Sequence, residues 1–140
     1  MNLSTYQPTM NYRYIYQQGL EEFHKGDYYE AKKLFEKAAE DRIPEAYFAL
    51  GSLYYSGKGA TENKTKAKEL LAKACDLGDP EACMMLANLY YDKERIDSDL
   101  ETMVALLEKA CNAGMPDACK RYEVLKKKLG FFGKMLGAFM

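Results

Sequence analysis

Four cysteines, at 75, 83, 111 and 119, and a single histidine, His24, are the residues of this 140-residue chain with the most specific chemistry. Thiols offer three roles: small apolar packing groups, cross-links, or zinc ligands. The Cys-x-x-Cys spacing of redox-active dithiols does not occur. One imidazole leaves a single neutral-pH base and excludes His-rich metal sites. The hydroxyls lack partners: none of Ser4, Ser52, Ser56 and Ser98 is followed by lysine three residues on, and Gly-x-Ser-x-Gly and Gly-x4-Gly-Lys-Ser/Thr are missing. Gly57-Lys58-Gly59 reads as a turn rather than a phosphate cradle. His24 falls near the negative pole of a helix, and Glu21-Glu22 and Asp97/Asp99 fall on helix surfaces or caps. The sequence therefore predicts no catalysis, no cofactor and no metal.

The scaffold that positions these residues has material for one core, with 48% hydrophobic and 29% charged residues. Twenty Lys and Arg against 21 Asp and Glu leave a net charge of −1, which gives no global field for phosphate backbones, so no specific nucleic-acid partner is expected. No apolar run approaches the ~18 residues of a membrane span. Residues 1–30 lack the basic start and apolar stretch of a secretory signal. The expectation is a cytoplasmic location by default, or a periplasmic or secreted one if the thiols are oxidised and a leader lies outside this chain.

Sliding the chain against itself exposes one offset. Lys37-Ala38-Ala39, Lys73-Ala74-Cys75 and Lys109-Ala110-Cys111 recur at 36 residues, as do Pro44, Pro80 and Pro116 and the acidic residues Glu45, Glu81 and Asp117. That period is typical of helical solenoids, whose units bury their apolar faces only by stacking. Within units the spacing is helical: Tyr47, Leu50, Gly51 and Tyr54 follow i, i+3, i+4, i+7, as do Ala67, Leu70, Leu71 and Ala74. Gly78-Asp79-Pro80 reads as a helix stop, an N-cap and a first helical proline. Asp27 with Glu30, and Ser98 with Glu101, read as capping boxes. The pattern predicts helices over about 12–24, 28–41, 45–56, 63–77, 81–92, 99–113 and 117–129. It gives a loose segment at 1–11, units at about 12–43, 44–79 and 80–115, a closing helix at 116–129, and an apolar tail or cap at 130–140. The fold class is all-α, a right-handed superhelical solenoid of antiparallel helix pairs.

Tyr16, Gly19, Gly26-Asp27-Tyr28, Glu30-Ala31, Phe35 and Lys37-Ala38 resemble a tetratricopeptide repeat. Leu50-Gly51, Tyr54, Gly57, Lys58-Gly59, Ala67 and Lys73-Ala74 resemble Sel-1-like repeats, and the likeness covers about residues 12–122. The Cys-x7-Cys spacing at 75/83 and 111/119 resembles the Helicobacter cysteine-rich protein branch, which implies a disulfide within each of those units. The third unit departs from the pattern, with Ala87 for glycine, Met103 for alanine and no glycine pair in 92–97. Unit one carries Ala39 at the position of Cys75 and Cys111, so reduced packing cysteines remain an alternative. A shared zinc is disfavoured, because stacked helices lie ~8–10 Å apart whereas sulfurs on one zinc lie within ~4 Å.

The resemblance implies an adaptor or scaffold whose concave groove takes a peptide or protein segment. First-helix positions expected there form three rows: Tyr16, Phe48 and Met84; Leu20, Ser52 and Asn88; Phe23, Tyr55 and Tyr91. Tyr54 and Tyr90 are expected in the core, and Tyr55 and Tyr91 then point about 100° away from them. Lys120, Arg121 and Lys126 to Lys128 form a basic patch opposite an acidic rim of Glu45, Glu81, Asp92 and Asp117. Lys120 is the candidate clamp for a partner's carboxylate. The tail is expected to cap the last helix pair, to mediate self-association or to touch a membrane surface. The alternatives to an adaptor are an inhibitor or immunity-type protein blocking one partner and, by analogy with the cysteine-rich branch, a penicillin-binding or β-lactamase-like activity.

Overall fold

The computed structural model describes residues 11–90 and 100–137, without the side chains of 132 and 135–137. Seven helices follow one another in this part of the chain: α1 (Tyr12–Lys25), α2 (Tyr28–Ala39), α3 (Pro44–Ser56), α4 (Lys64–Asp76), α5 (Pro80–Tyr90), α6 (Leu100–Asn112) and α7 (Pro116–Gly137). Each packs chiefly on its neighbours in sequence, giving three stacked pairs and a seventh helix.

Local chemistry sets the helix ends. Pro44, Pro80 and Pro116 each begin a helix, where the missing N–H costs no hydrogen bond. The side chains of Asn11, Asp27 and Asn63 accept the N–H groups of Tyr14, Glu30 and Lys66 at 3.0, 3.2 and 3.0 Å. Gly26, Gly78 and Gly114 follow helices in left-handed backbone, with φ of 86°, 100° and 100°. One unit before Gly78, Arg42 adopts φ 56°, a conformation that costs a residue with a Cβ roughly 1–2 kcal/mol. The Ser98–Glu101 capping box lies outside the described residues.

Small residues allow the pairs to close. A Cβ at Gly19 would lie 2.6 Å from the Phe35 ring, and one at Gly51 2.9 Å from Leu71. The interior divides into two apolar clusters. One gathers Ala31, Phe35, Ala38, Ala46, Leu50 and Leu53, and the other Leu71, Ala74, Cys83, Leu86, Leu107 and Ala118. No polar side chain is buried among the described residues.

Disulfides join Cys75 to Cys83 and Cys111 to Cys119, with Cα–Cα distances of 4.7 and 4.6 Å. Each links the end of one helix pair to the start of the next, through the Gly78-Asp79 or Gly114-Met115 turn. Lys109 Nζ donates to Asp76 Oδ1 at 3.0 Å beside the first of them. Two such cross-links suit an oxidising setting outside the cytosol.

Two expectations need correction. The last helix does not stop near residue 129 but continues through Gly130 and Gly133 to Gly137, so residues 130–137 prolong α7. Tyr54 and Tyr90 are half-buried rather than enclosed, with Lys66 Nζ 4.6 Å and Lys68 Nζ 4.9 Å from their ring centroids. Both rings face the edge of the core, where an ammonium can cover the ring and remain hydrated.

Candidate binding surface

Helices α1, α3 and α5, with Lys120 on α7, carry the candidate binding residues, and the structure divides them into three kinds. Some serve packing as well. Leu20, Phe48 and Met84 lie half-buried against the two apolar clusters. Ser52 Oγ donates to the Phe48 carbonyl at 3.0 Å and lies 3.9 Å from Met85 Sδ, so it helps seat α5 on α3. Phe23 is committed to a joint: its ring meets Tyr28 edge-on at 5.1 Å, and Lys58 Nζ covers both rings at 5.9 and 5.1 Å. Others are open. Tyr55 is 36% exposed, and Asn88 and Lys120 are also exposed. Tyr91 and Asp92 lie outside the described residues.

Tyr16 belongs to a group that sequence reading did not assemble. Its ring packs on Phe35 at 5.7 Å. Burial, and then the carboxylates of Glu45, Asp79 and Glu81, hold its hydroxyl above the ordinary tyrosine pKa, against the opposing effect of Arg13. Glu45 Oε1 lies 3.8 Å from Arg13 Nη1. Glu45 Oε2 is shielded from solvent and accepts no hydrogen bond among the described residues, although the side chain as a whole is partly exposed. Glu45, Asp79 and Glu81 line one cleft with Pro44, Gly78 and Pro80. The corner thus draws its charges from three successive units, all at the N-terminal ends of their first helices. Glu45 and Glu81 were legible as a rim from the repeat. Asp79 was legible only as a cap, because its position in the turn says nothing about the neighbouring unit.

Asp79 does both jobs. Its Oδ1 accepts the N–H groups of Glu81 at 3.0 Å and Ala82 at 3.4 Å. Burial raises its pKa, the two backbone N–H groups lower it, and Glu81 and Glu45 raise it further, with a net rise above 3.8. A carboxyl with a raised folded pKa contributes most stability while protonated, below its unfolded value, and loses it as pH rises through the folded value. Asparagine caps as well as aspartate without the charge. Asp79→Asn should therefore melt at or above the parent temperature at pH 7, and the difference should vanish as pH falls toward 4. Thermal melts across that range measure this, and a lower melting point for the variant at pH 7 would contradict it.

His24 sits exposed in the last turn of α1, edge-on to Phe23 at 5.8 Å. Among the described residues no group of three His, Cys, Asp or Glu side chains is placed to hold a metal ion.

Comparison with known proteins accords with this architecture. The family model "Sel1 repeat" matches three segments, 12–41, 44–79 and 80–115. No curated protein matches the chain. Among solved structures, a Sel1 repeat protein from Oxalobacter formigenes is 24% identical with a TM-score of 0.70, over 81% of this chain and 48% of that one. The protective antigen c5321 of uropathogenic Escherichia coli, described as displaying an SLR fold, is 23% identical with a TM-score of 0.72, over 84% of this chain and 26% of that one. The chain therefore spans about half the length of the first and a quarter of the second, and at these identities the likeness concerns the fold. Three consecutive units, each matched by the family model and each built as a helix pair, place the chain in the Sel1-repeat family.

Proposed function

We infer that this chain is a protein-interaction module that holds a peptide or protein segment along its first helices, the segment presenting a cationic group to Glu45, Asp79 and Glu81. Sel1-repeat proteins generally act as protein-interaction scaffolds, and the fold is typically non-catalytic. The observation that carries the finer reading is the acidic corner. Three carboxylates from two unit junctions, all lining one cleft, act together to raise the pKa of the Tyr16 hydroxyl, with Arg13 as the one opposing cation among the effects on it. A bound Lys or Arg side chain relieves that like-charge crowding. Tyr55 supports it from the other end of the same helices, as a large contact surface with few rotamers and a hydroxyl.

The test is affinity capture from the native cell extract with mass-spectrometric identification, followed by binding measurements with the identified segment. Tyr55→Ala should weaken the complex by about thirtyfold, the effect of losing a central interface tyrosine, with the helical circular dichroism unchanged. Adding Tyr91→Ala should abolish capture. Glu81→Gln should weaken binding more at low salt than at high salt. Undiminished capture by the tyrosine double variant would refute the groove.

A further inference from the structure

The first two unit junctions carry the same cleft with different linings. At the second junction Gly78, Cys83, Lys109, Asn112 and Ala113 line it. Their equivalents 36 residues earlier, Arg42, Tyr47, Lys73, Asp76 and Leu77, line a cleft of about 310 Å³ at the first junction, at the lower end of the size range of ligand pockets. Where the second junction has the Cys75–Cys83 disulfide, the first has Ala39 and a half-buried tyrosine, and arginine replaces the turn glycine.

Arg42 holds that position at a conformational cost. The turn is built alike in all three units: the N–H groups of Arg42, Gly78 and Gly114 donate to the carbonyls of Ala39, Cys75 and Cys111, each at 2.9 Å. Glycine takes the left-handed conformation freely, at φ 100° in both later turns, whereas Arg42 takes it at φ 56° with a Cβ. The backbone bonding of the turn therefore gives no reason for arginine. A residue kept in an unfavoured conformation points to a role for its side chain. Among the described residues the Arg42 guanidinium takes part in no ion pair.

The rest of the lining is arranged for an anion. Lys73 Nζ lies 5.8 Å from the centroid of the Tyr47 ring and has no ion pair among the described residues either. The one acid of the cleft, Asp76, is engaged by Lys109 of the following unit, whose Nζ donates to Oδ1 at 3.0 Å. With that pair cancelled, the charges of Arg42 and Lys73 remain. A guanidinium fork and an ammonium lining one cleft suit the oxygens of a phosphoryl group, and a phosphate monoester near neutral pH carries close to the two negative charges that balance them. The Tyr47 ring and Leu77 offer apolar surface to the group that the phosphate esterifies. We propose that the α2–α3 turn and the end of α4 form a site for the phosphate monoester of a small organic molecule, with Arg42 and Lys73 on the phosphoryl oxygens and Tyr47 and Leu77 against the organic group. The second junction lacks the site, because Gly78 and a disulfide-bonded Cys83 stand for Arg42 and Tyr47 and Lys109 is spent on Asp76. The site shares no lining residue with the acidic cleft of Glu45, Asp79 and Glu81.

Titration of the intact, oxidised chain with phenyl phosphate at low ionic strength, followed by amide NMR, tests the site. Resonances from residues 42–47 and 73–77 should move together and fit one site per chain. Inorganic phosphate should bind about threefold more weakly and benzoate about tenfold more weakly. Arg42→Gly installs the residue of the other two turns, so it should melt at or above the parent temperature while binding phenyl phosphate about tenfold more weakly, the loss of a charge-assisted bidentate contact. Lys73→Gln should weaken binding about fivefold. Lys109→Gln exposes the cleft to the Asp76 charge and should weaken binding about threefold, and adding Asp76→Asn should restore it. Absence of shifts in these resonances at millimolar phenyl phosphate would overturn the proposal. So would an Arg42→Gly chain that melts lower and binds as tightly as the parent, which would make Arg42 a structural residue of the turn. Equal affinity for inorganic phosphate would overturn the contact of Tyr47 and Leu77 with an organic group.

Discussion

Reducing both disulfides, or replacing all four cysteines by alanine, should remove about 5 kcal/mol of stability, because closing each nine-residue loop contributes about 2.6 kcal/mol in the chain-entropy model. That is a large share of the ~5–15 kcal/mol typical of a domain. Alanine is the appropriate replacement. Unit one already carries buried Ala39 at the position equivalent to Cys75 and Cys111, so at that position the paired substitution removes the cross-link and keeps a residue the fold accepts there, while Tyr47 stands where Cys83 and Cys119 do. The two staples should also differ in what they release. Cys75→Ala with Cys83→Ala loosens the α4–α5 junction in the middle of the stack, and should lower the melting temperature by about 10 °C. Cys111→Ala with Cys119→Ala frees α7 from α6 at one end, where a quasi-one-dimensional fold loses only the terminal element. Its signature should be early loss of α7 protection in hydrogen exchange, with a smaller shift of the main transition. Reductant should destabilise the parent chain and leave the four-alanine variant unchanged. A parent chain whose thiols all react under non-reducing denaturation would remove the basis of this prediction.

The repeat was legible because its punctuation is chemically strict. A proline at a helix start and a glycine at a helix stop satisfy backbone requirements that few other residues meet, so Pro44, Pro80 and Pro116, and Gly78 and Gly114, fixed helix boundaries from spacing alone. The end of α7 was not legible, because Gly130 and Gly133 carry low intrinsic propensity and the residues beyond them resemble a separate tail. A helix already fourteen residues long (116–129) before Gly130 propagates through single glycines at about 1 kcal/mol each. The groove was legible only in part. First-helix positions at fixed offsets share a face, but the same face must seat the next unit, and spacing does not say how one side chain is divided between these duties. Ser52 shows this, with its hydroxyl turned back to the Phe48 carbonyl and toward Met85. Phe23 shows it again, since its cover is a lysine from the following unit's loop. Asp79 entered the acidic corner through the stacking of units, a relation that no single repeat encodes.

That same loop carries the most damaging single methyl group expected in this chain. A Cβ at Gly59 would lie 2.5 Å from both the carbonyl carbon and the oxygen of Tyr28, and 2.8 Å from the Tyr29 nitrogen. These are backbone atoms in the first turn of α2, which cannot turn aside as a side-chain tip can. Gly59 also has φ 68°, where a Cβ costs roughly 1–2 kcal/mol before any contact is counted. Gly59→Ala must therefore either distort the start of α2 or lift the α3–α4 connection away from it. Lifting it would also separate Lys58 from the Phe23 and Tyr28 rings. Together these effects should cost about 3–4 kcal/mol. Gly26 supplies the control. It has φ 86°, and a Cβ there meets nothing within 4 Å, so Gly26→Ala should cost only the backbone strain, about 1 kcal/mol. Urea unfolding of the two variants compares strain alone with strain plus collision. Equal losses would mean that the connection does not rest on α2. A clear excess for Gly59→Ala would identify this contact as what holds unit two against unit one, as the Cys75–Cys83 disulfide holds unit two to unit three. Tyr55 lies four residues before Gly59, so the same variant should weaken partner binding even at temperatures where the helices remain folded.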